Sequence, residues 1–421
     1  MRKKYLILVS LMTLLFWVAA CGNDNSNDES VGETPEDEVV NGQTVANELS
    51  IDDLRGTTVT FYGWGGGQNI NDWLDHVVAP SLYENYEITL QRVGMDIGDI
   101  LNLLIGEKEA GVEEGNIDVV WINGENFHVA IQADLLYGPI SERVPNVALY
   151  LDPDLHENNY DFGTPINGMS VPYGRAQLVF VGDTAEFDSF PSNATELMEF
   201  AQANPGRFTY IAPPQFTGSA FVRNLIYEIV GFETLNNASE DEIYDVIRPA
   251  LDFMIDLKPY LWQEGTTYPT TADQLSEMFV DGIAPFAISY TPLYAAQMIL
   301  SGEFPNTAQT FLFDNGNIGN THYMAVPFNA PNTEGALVVI NHIISPEIQI
   351  TKYDANNWGD LPVFDVNRIS DEQREALEAI DNGVGILTAT ELQERRVPEV
   401  AGWKVPIIDQ LWIEYVLGHN Q

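Results

Sequence analysis

Between residues 57 and 122 the chain runs twice through one pattern, a β-branched and aromatic stretch followed by a helix-spaced one, and then begins it a third time. Thr57-Thr58-Val59-Thr60-Phe61-Tyr62 reads as a strand and ends in Gly63-Trp64-Gly65-Gly66-Gly67. Asn69 or Asn71 is placed to cap a helix through Trp73-Leu74 and Val77-Val78, which Pro80 should disturb. Tyr86 to Val93 alternates like a strand, and Ile97 to Ala110 carries Ile97, Ile100, Leu101, Leu104 and Ile105 at helical spacing. Ile117-Asp118-Val119-Val120-Trp121-Ile122 is another short buried strand, leading into Asn123-Gly124-Glu125-Asn126. Alternation of this kind predicts an α/β domain with a largely parallel sheet. Ligands of such sheets bind beyond the carboxyl ends of the strands, where the 63–67 and 123–126 loops fall.

Three later apolar runs read as strands: Ala176 to Asp183 after Ser170-Val171-Pro172-Tyr173-Gly174-Arg175, Ile283 to Tyr290, and Leu337-Val338-Val339-Ile340-Asn341. Helices are expected near Ala194 to Gln202, through Ile229 and from Ile243 to Leu257, with the loop Pro213 to Ser219 between the first two. Asp314 to Asn320, rich in Asn and Gly, reads as a turn. The end from Ser370 is helical in pattern, with Trp403, Trp412 and Tyr415 as packing residues. No fixed-period repeat is present, which disfavours solenoids and propellers.

The N-terminus fixes the compartment. Arg2, Lys3 and Lys4 precede an apolar run from Tyr5 to Ala20, then Cys21, the single cysteine of 421 residues. A basic start, a short apolar stretch and small residues form an export signal, too short for a stable membrane span. Ala19-Ala20-Cys21 resembles the bacterial lipobox, which implies that residues 1–20 are removed and Cys21 carries lipid. No thiol then remains for a disulfide or a nucleophile, so the fold rests on its core. Residues 21–48 are polar, acidic and almost free of aromatics, a composition that cannot offset chain entropy and reads as a disordered tether.

With 62 acidic against 18 basic residues the formal net charge is -44. Nucleic acid is excluded as a partner, because phosphate binding needs clustered Lys and Arg. Such acidity fits a saline or alkaline habitat, and equally the solubility of an exported protein.

Four stretches, in this order, resemble the extracellular solute-binding proteins of ABC importers, with the two-lobed type II periplasmic-binding-protein fold, and most of all the YnjB-like subgroup. They are Thr58 to Gly67, Asp118 to Phe127, Val171 to Gln177, and Asn357-Trp358-Gly359-Asp360-Leu361-Pro362-Val363-Phe364-Asp365. Members of that subgroup are commonly labelled thiamine-type or uncharacterised importers. The resemblance, from about residue 50 to the C-terminus, implies two lobes, each a mainly parallel sheet flanked by helices. It places the crossings between lobes near 173–181 and 284–290, with Gly174 and Gly182 as flexible points. Lobe one then comprises 48–173 and 289–320, and lobe two 174–288 and 321–421.

Candidate ligand contacts follow. Trp64, Gly65, Gly66, Gln68 and Asn69 form a loop where backbone can approach a ligand beside a flat indole. Trp121, Asn123, Glu125 and Asn126 set stacking surface, amides and a carboxylate at a strand end. Tyr173 and Arg175 lie on the first crossing, Tyr290 just after the second, Thr217 and Ser219 before a helix, and Trp358 and Asp360 in the fourth matching stretch. Arg175 would suit a carboxylate or phosphate, whereas the aromatics with Glu125 and Asp360 would suit an organic cation, thiamine-like or other.

Enzyme motifs are missing: there is no Gly-x-Ser-x-Gly and no His-Glu-x-x-His, and His76, His128, His156, His322, His342 and His419 are scattered. Asp152, Asp154 and His156 lack the glycine and glutamate of a calcium loop and read as a solvated turn. No cofactor or metal is expected. The chain thus reads as a monomeric, lipid-anchored, extracytoplasmic receptor delivering a small solute to ABC permease subunits. A cell-surface hydrolase of glycans or phosphate esters, and a receptor presenting its ligand to a sensor, are the alternatives.

Overall fold

The computed structural model describes residues 51–419, together with two short strands, Val39–Val40 and Gln43–Thr44, that pair antiparallel. The expected export signal, the expected lipidation at Cys21 and, apart from that strand pair, the expected tether up to residue 48 fall outside the described residues.

The alternating pattern is realised as β1 (Thr58–Gly63), α1 (Gln68–Trp73), β2 (Thr89–Gly94), α2 (Ile97–Ala110), β3 (Val119–Ile122) and α3 (Glu125–Gln132). β1 pairs in parallel with β2 on one side and β3 on the other, as crossover helices require. The first helix starts without a side-chain cap, because Asn71 donates instead to Gly65 O at 2.8 Å. Pro80 does not end the helical course; a π-type stretch over Leu74–Val78 leads into a helix from Ala79 to Tyr86 with the proline in its first turn.

β4 (Leu136–Tyr137) and β5 (Ser170–Gln177) complete the first half of this sheet, and the chain then passes through Leu178 alone into β6 (Val179–Asp183) of a second sheet. There follow α4 (Ala194–Ala203), α5 (Phe216–Val230), α6 (Ile243–Leu257), α7 (Ala272–Val280), β7 (Phe286–Ser289), α8 (Tyr294–Leu300) and β8 (Ala308–Phe311). The second sheet has three strands in the order β7-β6-β8, and both pairings are antiparallel. The expectation of a mainly parallel sheet in each half therefore holds only for the core of the first. Ser289 pairs with Val179 and Ala308 with Asp183, so β7 and β8 flank β6 in the opposite sense.

The return to the first sheet lies between Phe311 and Asn317, not at 284–290. β9 (Asn317–Pro327) pairs antiparallel with β3 and β5, and β10 (Arg396–Val397) adds in parallel at its start. Asn317 to Asn320 is thus strand, and the Asn317 side chain bonds Phe313 N and Leu178 O instead of making a turn. Leu337 to Asn341, expected as a strand, lies inside α9 (Thr333–Ile343), which Asn332 caps through Gly335 N. A short, fully apolar run has no period that separates a buried strand from a buried helix. α10 (Pro346–Tyr353) follows, and α11 (Lys404–Trp412) lies near the end.

Two large cores divide the chain differently from the expected boundaries. Phe61, Trp73, Leu337, Ile348, Trp358 and Val363 pack in the core of the first sheet, so 321–366 joins residues 51–177. Phe180, Phe221, Met254, Phe286, Phe313 and Trp412 pack in the other, which also takes 308–313 and the C-terminal helix. Trp403, expected to pack, is exposed beneath the Lys404 ammonium, while Trp412 is fully buried.

Candidate solute site

At the carboxyl ends of β1 and β3 the glycine loop seats its own tryptophan. Gly65 packs on the backbone of Gly94, and Gly66 lies against the Trp64 indole so closely that a Cβ would strike the ring. Trp64 is left half exposed, edge-on to Trp121 at 6.5 Å between ring centroids. Gln68 and Asn69 open α1 on the exposed side, with Gln68 donating to Asp72 at 2.7 Å.

Trp121 begins a chain of rings running inward. It meets Tyr173 at 5.7 Å, His322 at 4.9 Å and Trp358 at 5.8 Å, while His322 stacks on Trp358 at 5.5 Å. Beneath these rings Lys352 Nζ lies 3.3 Å from Asp360 Oδ2 and donates to Tyr173 O and Leu361 O, both at 2.8 Å. Burial pulls Lys352 down to about 8 against the pull of Asp360, and burial pulls His322 down to about 4. Gly174 is compact rather than loose here, since a Cβ would collide with Asp360, His322 and Lys352. Gly182 likewise faces the Phe190 ring. The structure thus brings Trp64, Trp121, Tyr173, Trp358 and Asp360 together, but Tyr173, Trp358 and Asp360 are interior.

Across from the 123–126 loop lies a polar group from the second core. α5 starts at Phe216, so Thr217 and Ser219 are buried in its first turn instead of in a preceding loop. Ser219 Oγ donates to Asp409 at 2.6 Å and accepts from Arg223. Arg223 grips Glu399 with two bonds of 2.9 and 2.7 Å, and Tyr290 Oη adds a third at 3.1 Å. Contact with Glu399 outweighs burial and raises the Arg223 pKa. Glu125, at the start of α3, feels this group: burial raises its pKa, Arg223 opposes, and Glu399 and Asp409 add to the rise. Asn123 and Asn126 flank it, partly exposed.

Arg175 makes no hydrogen bond to either group, although Asp360 and Lys352 lie within its electrostatic reach. It is 5 % exposed, donates to Asn158 Oδ1 at 2.7 Å, and burial lowers its pKa despite nearby Glu157. The expected anion partner is therefore enclosed by protein.

Residues 80–372 match the model of the bacterial extracellular solute-binding protein family. The chain is 35% identical over 341 residues, 80% of its length and 86% of the relative's, to protein YnjB of Escherichia coli strain K12. The chain belongs to the bacterial extracellular solute-binding protein family. As a solute-binding protein it has the two-lobed type II periplasmic-binding-protein fold and acts outside the cytoplasm. It resembles the spermidine/putrescine ABC transporter substrate-binding protein PotD of Streptococcus pneumoniae, with TM-score 0.60, 15% identity, and coverage of 85% of this chain and 98% of that one. It also resembles a periplasmic thiamin binding protein, with TM-score 0.58, 18% identity, and coverage of 85% and 96%. Both neighbours are binding proteins by name, the first of them of an ABC transporter. No helix among the described residues is long and apolar enough to cross a membrane.

Sequence reasoning did not single out Asp161, Arg223, His322, Lys352, Glu399 or Asp409. Arg223 and Glu399 lie 176 residues apart, beyond any local pattern. Lys352 and Asp360 are only eight apart, but the lysine sits among Gln349, Thr351, Tyr353 and Asp354, so nothing local marked it as buried.

Proposed function

We propose that the chain is a lipid-anchored receptor of an ABC importer. Cys21 is its anchor, and it captures a small polar or cationic organic solute between two lobes and delivers it, as a monomer, to permease subunits. No bond is made or broken by this chain. The lobes proposed are 51–177 with 317–366, and 178–316 with 398–419, joined through Leu178 and the 312–316 segment.

One observation carries the preference for a cation or an uncharged solute over an anion: the arginines near the cleft are already taken. Arg223 is bound in bidentate fashion by Glu399 and Arg175 is held by Asn158, while the Trp64 indole stays half exposed. An exposed indole suits cation–π contact with an organic cation. The YnjB-like resemblance and the polyamine- and thiamin-binding names of two neighbours by fold favour the same class.

Thermal-shift screening of the purified chain against thiamine and its phosphates, polyamines, amino acids, sugars and oxyanions tests this. A specific solute at a hundredfold excess over Kd stabilises the native state by about 2.7 kcal/mol. Stabilisation by a cation or an uncharged solute is expected, and stabilisation by oxyanions alone would reverse the charge assignment. For the anchor, Cys21→Ser should release the chain from the membrane fraction, and retention there would remove the lipid reading.

A further inference from the structure

The 398–403 segment runs from β10 to α11 and lies against both proposed lobes at once. Its Gly402 N–H donates to Phe162 O at 3.0 Å, Gly163 packs on Ala401, and Gly402 sits so close to the Glu125 backbone that a Cβ would strike it. On the other side Glu399 holds Arg223, and Val400 N–H donates to Tyr227 Oη at 3.1 Å. The segment therefore marks a seam, with residues 124–125 and 161–163 of the first proposed lobe on one side and α5 of the second on the other.

Charge at this seam is unbalanced. Glu125 and Asp161 come to it from the first lobe, Glu399 and Asp409 from the second, and against these four acids stands one bonded cation, Arg223. Glu399 accepts two bonds from Arg223 and one from Tyr290, Asp409 one from Ser219, and both Asp161 oxygens lie on Gly124 N at 2.8 and 2.9 Å. Glu125 differs, for the described hydrogen bond of its carboxylate is to its own backbone N–H. The other charges near α3 do not relieve it. Lys404 Nζ is held by Leu235 O, Asn236 O and Ala238 O, and His128 on α3 meets Thr164. Neighbouring α2 brings Asp96 and Asp99 at its start, while its Lys108 bonds Ala133 O and Asp134 O past the far end of α3. The gap that Asp161 and Glu399 line holds about 20 Å³, room for about one water, so no solute-sized counter-charge enters there.

A carboxylate enclosed among like charges is relieved by taking up a proton. Burial above all raises the Glu125 pKa, with Glu399 and Asp409 adding to the rise against its own backbone bond and Arg223. Part of that enclosure is the Gly402 contact, so parting the seam returns Glu125 towards water and the ordinary carboxylate range.

We propose that the seam is a proton-linked latch: the lobes close over a protonated Glu125 and part when it ionises. This rests on the two-lobed receptor reading and adds its regulation, since a solute enclosed by closure is held more tightly in acid and released as pH rises. The closed state has the higher pKa, so the latch is engaged below the ordinary carboxylate range and is lost as pH rises through the raised value.

Amide hydrogen exchange of the full chain in detergent, read by mass spectrometry between about pH 5 and 8 and corrected for intrinsic rates, tests the latch without any solute. Protection of Gly124 and Gly402 should fall about tenfold across that window, the effect of one proton over one pH unit. Phe328 and Trp262, whose N–H groups bond Leu135 O and Phe208 O inside the two cores, should keep theirs. Glu125→Gln, which cannot ionise, should leave Gly402 protected throughout. Gly402 protection that is flat with pH in the wild type, that falls together with Phe328 and Trp262, or that still falls in Glu125→Gln overturns the latch. The wild-type comparison decides even if the variant fails to fold. A screened solute that stabilises the chain while Gly402 protection is flat overturns the latch and spares the receptor. A pH-dependent Gly402 in a chain that no screened solute stabilises supports the latch and overturns the receptor.

Discussion

The solute site is bordered by two buried ion pairs of different construction. Lys352 and Asp360 are sealed beneath the aromatic cluster of the first core, and every described hydrogen bond of the ammonium stays within residues 173 to 361 of that core. Arg223 and Glu399 instead draw in Ser219, Tyr290 and Asp409 from separate segments, and their field reaches Glu125 on α3. One pair braces an interior. The other sits where the 123–126 loop of one core meets the polar face of the second, so closure on a solute would act on it.

Removing one partner separates the two most strongly. Lys352→Met leaves Asp360 buried and unpaired and is expected to lower unfolding free energy by about 3–5 kcal/mol, with most recovered in Lys352→Met/Asp360→Leu. Arg223→Met should cost a comparable amount and, unlike Lys352→Met, also weaken solute binding about tenfold by calorimetry. Equal binding losses in both variants would break the contrast.

Titration is the next largest effect, and the two sides have opposite signs. His322 stays neutral in the fold down to about 4, whereas the unfolded chain takes that proton near 6.5. The folded pKa is the lower, so its stability is present above pH 6.5 and is lost as pH falls towards 4, by roughly 3 kcal/mol. His342, also held at about 4 by burial, adds in the same direction. Glu125 has a raised folded pKa, so its contribution is present below the usual carboxylate range and is lost as pH rises. Denaturation of His322→Asn should therefore depend less on pH between 6.5 and 4 than that of the wild type. Glu125→Gln should be stabilised near neutrality, and an unchanged pH profile in both would deny the burial argument.

The smallest effect on stability distinguishes the two tryptophans. Trp64 is 51% exposed and Trp64→Ala should change stability by less than about 0.5 kcal/mol while weakening solute binding. Trp121, half-buried among Tyr173, His322 and Trp358, should lose more stability on truncation. Similar melts for the two variants would put Trp64 into the core.

Legibility followed the range of the signal. Helical spacing placed Ile97–Ala110 at its observed bounds, and alternation plus turn residues placed β1, β2 and β3 within three residues of theirs. Leu337 to Asn341 became helix because apolarity alone has no period, and Thr217 to Ser219 joined α5 because Gln215 caps it three residues ahead of Gly218. Among site residues, the Trp64–Trp121 pairing was accessible from the rule that ligands gather at strand ends. The enclosure of Arg175 was not, since it depends on Asn158 arriving from a loop.

The amino-acid sequence by itself determined the α/β class, the parallel core of the first sheet and, through the order of four short stretches, the solute-binding family. Those properties rest on interactions among neighbours in the chain: period, capping and crossover length. Only the tertiary structure decided the antiparallel second sheet, the return at 312–316, the enclosure of Asp360 and Arg175, and the meeting of Arg223 with Glu399. Each of these depends on strands or side chains brought together by packing of the two cores, and a charge becomes interior or available only once that packing has chosen its partner.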